Sequence, residues 1–93
     1  MHDAVIARFS RTLSTTFAYG VPLAEALEST ADAAGNAVCA KAIRTIRDDV
    51  TTGTSLALSI RTTGLFPSML LQMTGIGEES GSLDDMLGKV ADH

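Results

Sequence analysis

Reactive and recognition chemistry is thinly represented in this chain, and each shortage excludes a class of function. Its 93 residues include no tryptophan, and the aromatic residues are only Phe9, Phe17, Tyr19 and Phe66. Single-stranded nucleic acid is held by stacking bases on such rings, so no platform of that kind is present. Positive charge is scarce too: 7 Lys and Arg stand against 11 Asp and Glu, a formal net charge of −4. A duplex reader needs a basic face to displace counterions from phosphate, which argues against a helix-turn-helix DNA module. The single cysteine, Cys39, excludes an intrachain disulfide and the usual four-ligand zinc site, and it suits a reducing compartment. The two histidines, His2 and His93, lie at the ends of the sequence, where ligands are seldom held at fixed distances. The chain also lacks a Gly-x-Ser-x-Gly turn. The hydroxyls of Ser10, Thr12, Ser14, Thr15 and Thr16 therefore read as the polar side of an amphipathic helix, with no triad to join. Uninterrupted apolar runs stop at four residues, as at 4–7, so no segment spans a bilayer, and the Met-His-Asp start lacks the pattern of a signal peptide. A soluble chain with no catalytic residue and no cofactor is the expectation.

What the chain does have is punctuation. Gly20, Gly35, Gly53, Gly64 and Gly81 each close a segment whose apolar residues recur three or four apart. Glycine is favoured just past a helix end because the left-handed conformation there costs it no Cβ clash. Pro22 and Pro67 are expected just inside the next helix, where a missing N–H does no harm. The spacing predicts helices over 4–19, 22–34, 37–52, 55–62, 67–79 and from 83 onward, with Asp3, Thr54 or Ser55, and Ser82 as caps. No stretch alternates as a half-buried strand does. The fold class is all-α, a compact antiparallel bundle of six short helices forming one domain over 1–93. A folded chain of this mass exposes roughly 5,100 Å², about a third of its extended surface, enough for one modest core.

Few constellations compete for a role. Cys39 sits mid-stripe on the third helix and reads as a small buried hydrophobe. Arg44 and Asp48 form an i,i+4 pair of opposite charge. Gly75 and Gly77 lie inside the fifth helix, where each costs about 1 kcal/mol relative to alanine, so a close backbone crossing or a bend is expected there. Glu78, Glu79, Asp84 and Asp85 surround Gly81 and are the only candidates for a metal, as in a calcium-binding helical regulatory module, although their spacing is not that of an EF-hand. Enriched acids at a helix start are the plainer explanation.

Two motifs carry a family resemblance. Phe9-Ser-Arg11-Thr-Leu13, Gly20-Val-Pro22-Leu23 and Ala26-Leu27 resemble the opening of the cytoplasmic domains in the platform proteins of type IV pilus assembly and type II secretion. Gly77-Glu78-Glu79-Ser80-Gly81-Ser82-Leu83-Asp84, continuing to Leu87, resembles their close. The middle of the chain (Gly35-Asn36, Ile46 to Val50 and Leu65-Phe66-Pro67) looks closer to the pilus branch (PilC-like) than to the secretion branch (GspF-like). The resemblance implies a six-helix bundle, and a parent with two such domains followed by helices in the bacterial inner membrane. This chain then corresponds to one excised copy, by preference the second, on the cytoplasmic face. The implied role is a non-enzymatic scaffold between an assembly ATPase and pilin or pseudopilin subunits, with other inner-membrane assembly proteins and further copies of itself as possible partners. The motif residues Phe9, Arg11, Leu13, Gly20, Pro22, Leu23, Gly77, Glu78, Gly81 and Leu83 are then structural. A bidentate bond from Arg11 to Glu78 is one way they could fix helix register.

Overall fold

A helix needs a residue that can reverse the chain at its end, and each glycine expected in that role takes it. The computed structural model describes residues 4–92; Asp3 as a cap, and His2 and His93, lie outside them. The helices are α1 (Ala4–Ala18), α2 (Leu23–Asp32), α3 (Ala37–Thr51), α4 (Leu56–Thr63), α5 (Ser68–Ser80) and α6 (Leu83–Asp92), with no strand among the described residues. Gly64 and Gly81 end α4 and α5 in the left-handed region, at φ 68° and 75°, which is open to glycine at no steric cost. Pro22 and Pro67 stand one residue earlier than expected. Both are extended, with ψ 146° and 159°, and their carbonyls accept the first helical bonds, from Ala26 and Leu71. At that position the carbonyl is used and the absent N–H is not missed. Asn36 and Ser55 cap α3 and α4 through their side chains.

Each helix packs on its neighbours in sequence, and α1 packs on α6, so the six form a closed ring. The pairings run antiparallel. Arg11 pairs with Asp92 while Ser14 Oγ donates to the Asp84 carbonyl at 2.8 Å. Across α2 and α3, Asp32 meets Arg44 and Glu28 meets Arg47. The centre is filled by aliphatic side chains with Phe9 among them, and Phe66 reaches in from the α4–α5 connection to 4.8 Å from the Phe9 ring. Cys39 is buried with them. The accessible surface is 5017 Å², close to the folded value expected for this mass, and no described helix is long and apolar enough to cross a membrane.

One expectation about α1 fails. Ser10 and Ser14 are buried, not part of a solvated polar side. Their small size lets α6 come close: a Cβ built on Gly88 would sit 3.4 Å from Ser14 Oγ. Closing the ring is what places two hydroxyls inside.

The paired glycines of α5 differ in kind. A Cβ on Gly77 would lie 2.7 Å from Leu83 Cα and 3.2 Å from Leu83 N, both backbone atoms, whereas one on Gly75 would meet only Ala57 Cβ at 3.9 Å. Gly77 is therefore required by the α5–α6 crossing, and Gly75 is not. Gly77→Ala should lower stability by about 1–3 kcal/mol because the first turn of α6 must move. Gly75→Ala should hold or raise it by up to about 1 kcal/mol through helix propensity. Urea denaturation of the two variants, side by side, checks the contrast.

Candidate functional site at the α4, α5 and α6 corner

The corner where α5 turns into α6 also carries the start of α4. A helix as short as α4 exposes four backbone N–H donors at its start, a large share of its backbone. Two of these donate to one carboxylate: Leu56 N–H to Glu78 Oε2 at 2.6 Å and Ala57 N–H to Oε1 at 3.1 Å. Leu58 N–H donates to Ser55 Oγ at 3.2 Å, and Ser59 N–H to the Ser55 carbonyl at 3.0 Å. Glu78 lies in the last turn of α5, against its own helix dipole, and its charge is compensated by the positive end of α4. On the other side of α4, Ser59 Oγ donates to Asp49 Oδ2 at 2.8 Å, fixing the helix to α3. The Ser82 N–H returns to the Gly77 carbonyl at 3.0 Å across the left-handed Gly81, and Leu83 turns inward to the core. Glu78, Gly77, Gly81 and Leu83 thus form one joint between three helices.

The other motif residues lie elsewhere. Phe9 and Leu13 are core, Leu23 is half-buried at the start of α2, and Gly20 and Pro22 make the α1–α2 turn. Arg11 does not meet Glu78. Its guanidinium pairs with Asp92, because α1 packs on α6 and α2 and makes no contact with α5 among the described residues. Arg44 likewise passes over Asp48 and reaches Asp32 at 2.7 Å on α2. Asp48 is held instead by Arg47, whose pKa is raised by its hydrogen bonds to Asp48 and Glu28. The antiparallel α2–α3 pair sets acids of one helix opposite arginines of the other, and this overrides the expected Arg44–Asp48 pairing along α3.

Glu78 is spent on α4, and no three acidic, histidine or cysteine side chains among the described residues come together to hold an ion. Of the four carboxylates in the calcium-module expectation, Glu78 is thus already committed to the fold. Cys39 lines a small cleft with Val5, Arg8, Phe9, Thr30, Ala34 and Ile43, holding only about 10 Å³, room for one water and no substrate. Burial pushes its thiol pKa up. Pattern reading missed the capping role of Glu78. Its signal was available: a glutamate at the C-terminal turn of a helix opposes the dipole and calls for a donor nearby.

Comparison with known proteins places the chain in a family. The family model "Type II secretion system (T2SS), protein F" matches residues 9–93. The chain is 56% identical over 93 residues to the type IV pilus assembly protein PilC of Pseudomonas aeruginosa, covering 25% of it. It is 54% identical over 91 residues to the type IV pilus assembly protein TapC of Aeromonas hydrophila, 22% of whose length it covers. To the type II secretion system protein F of Xanthomonas campestris it is 41% identical over 86 residues, 21% of that protein. The chain spans about a quarter of the length of these curated relatives.

Two measurements check the corner and the cleft. Glu78→Ala should cost about 1–2 kcal/mol and speed hydrogen exchange selectively at the Leu56 and Ala57 amides, with Glu78→Gln intermediate because one acceptor oxygen remains. Uniform exchange across α4 in Glu78→Ala would contradict the capping role. The Cys39 thiol should react with a soluble disulfide reagent at least about tenfold more slowly when folded than in urea. Its folded-state rate should go on rising past the pH at which a free thiol has fully ionised, since burial favours the neutral form.

Proposed function

Since the chain belongs to the type II secretion system protein F family and is more than half identical to two of its pilus-assembly members, we propose that it is a non-enzymatic scaffold domain of type IV pilus assembly. In this reading it couples a cytoplasmic ATPase to the addition of pilin subunits through protein contacts alone, at the cytoplasmic face of the inner membrane. It acts there as one copy within a larger membrane protein, and association between copies belongs to the same reading. The observation that carries it is 56% identity along all 93 residues to a protein named for pilus assembly, against 41% to the secretion relative. The fold supports a mechanical role. A ring in which every helix is braced on both sides resists deformation and transmits a push applied at one face.

Replacing the matching quarter of the Pseudomonas aeruginosa relative with this chain tests the proposal. Surface pili should persist, and the purified chain should retain the assembly ATPase on a column without hydrolysing ATP itself. A chimera that reaches the membrane and folds but assembles no pili would overturn the reading. Phosphate release by the chain alone would overturn its non-enzymatic part.

A further inference from the structure

The outer face of α4 and α5 carries features that nothing within the domain explains. Ala57 and Gly75 face each other across these antiparallel helices. One step along each chain from a facing pair turns both side chains to the same side, and here that step reaches Leu58 and Ile76, which are 48% and 52% exposed. Leu65, in the connection between the helices, is 49% exposed. Four residues beyond the facing pair, one helical turn along each chain, come Arg61 and Glu79, both exposed. Because the helices run in opposite directions, these two charges lie at opposite ends of the apolar strip. The eight residues of helical rise between them separate them by about 12 Å along the axis. They cannot pair within one chain.

The carboxylate of this face is out of place. Every other carboxylate in a helix's last turn has found a partner: Asp32 with Arg44, Asp48 with Arg47, Asp49 with the Ser59 hydroxyl, Glu78 with the start of α4, and Asp92 with Arg11. Glu79 has none among the described residues, although it stands at the negative end of α5, where a carboxylate is disfavoured. Arg61 is also without an acceptor among them, while Arg8 reaches the Ala33 carbonyl and Arg11, Arg44 and Arg47 hold carboxylates. The face thus reads acidic, apolar, basic along its length, a pattern complementary to itself after a half turn.

We propose that this face is a two-fold interface, at which a second copy of the chain packs Leu58 and Ile76 against their counterparts and sets Arg61 of each copy against Glu79 of the other. A two-fold contact presents the same patch from both sides, so one unpaired cation and one unpaired anion flanking an apolar centre satisfy each other twice. The inference rests on the reading that the domain works through contacts with other proteins, and it names one of them.

Sedimentation of the 93-residue chain over a concentration series tests it. A reversible dimer should appear and weaken as salt is raised. Arg61→Glu and Glu79→Arg should each weaken it by about tenfold or more, because both cross-pairs become repulsive. Mixing the two variants in equal amounts should restore a dimer, since each then supplies what the other needs. Circular dichroism reports whether the variants stay folded. Should a charge swap unfold the chain, Leu58→Gln and Ile76→Gln probe the same face without touching the charges, and they should dissociate the dimer. A chain monomeric up to about 1 mM, a dimer indifferent to the substitutions, or a mixture that fails to re-associate would overturn the interface. Any of these leaves the pilus reading intact, because the chimera measures pili. Lost pili with an intact dimer would instead overturn that reading alone.

Discussion

The ends of short helices are the constraint on which this fold turns. Helices of eight to fifteen residues leave four N–H groups and four carbonyls unpaired at each pair of ends, so a large share of the backbone depends on partners outside its own helix. Isolated, none of them would persist in water. The chain meets the need with neighbours: Ser55 and Glu78 at the start of α4, Asn36 at the start of α3, and Arg8 over the last turn of α2. Ser55 and Asn36 cap their own helices, whereas the Glu78 and Arg8 contacts each join two elements, so satisfying those ends also sets how the helices sit against each other. Glu78 shows this most clearly, since one carboxylate stabilises α4 and fixes α5 beside it.

Ring closure follows from the same economy of size. Six helices that each touch only their neighbours would make an open chain of pairs if α1 did not return to α6. That closure needs small residues. Ser10, Ser14 and Gly88 let α1 and α6 approach, as Gly77 lets α5 approach the start of α6. The Ser14 hydroxyl recovers a hydrogen bond from the Asp84 carbonyl, while Ser10 Oγ, also buried, finds no partner. An unpaired buried hydroxyl is unfavourable, and it is accepted here where a larger apolar side chain would hold the helices apart. A closed ring has no loose helix to shear, which suits the mechanical role proposed above.

Helix number, order and ends were legible in the sequence because glycine at a helix end answers to local geometry alone. Gly20, Gly35, Gly53, Gly64 and Gly81 all take positive φ. Gly77 was legible for a related reason, as a costly residue that must have a return. Side-chain pairing was not legible. Arg44 looked committed to Asp48 within its own helix, and Arg11 looked free to reach Glu78. Both choices were decided by which helix lies opposite, which a pattern of spacings does not encode. The hydroxyls of α1 misled in the same way, since serine is small as well as polar and packing made use of its size. The joint at Glu78 was half legible: the motif marked the residue, and the dipole argument predicts that it needs donors, but only the α4–α5 pairing says whose.

Within α5, departures from local preference separate into two sets. Gly77 and Glu78 are each unfavourable for the helix that contains them, and each is offset inside the domain, by the Leu83 crossing and by the α4 cap. Gly75, Ile76 and Glu79 are unfavourable as well: a glycine with room for a Cβ, a large apolar side chain half in water, and a carboxylate at a negative helix end. Nothing inside the domain offsets these three. Natural sequences are locally consistent except where function asks otherwise, and these exceptions fall on or beside one face, shared with Leu58 and Arg61 of α4. A carboxylate that costs the monomer, set with Arg61 at the two ends of an apolar strip, is accounted for most simply by a surface that meets its own kind. The inner side of α5 thus serves the fold, and the outer side is the one the proposed interface uses.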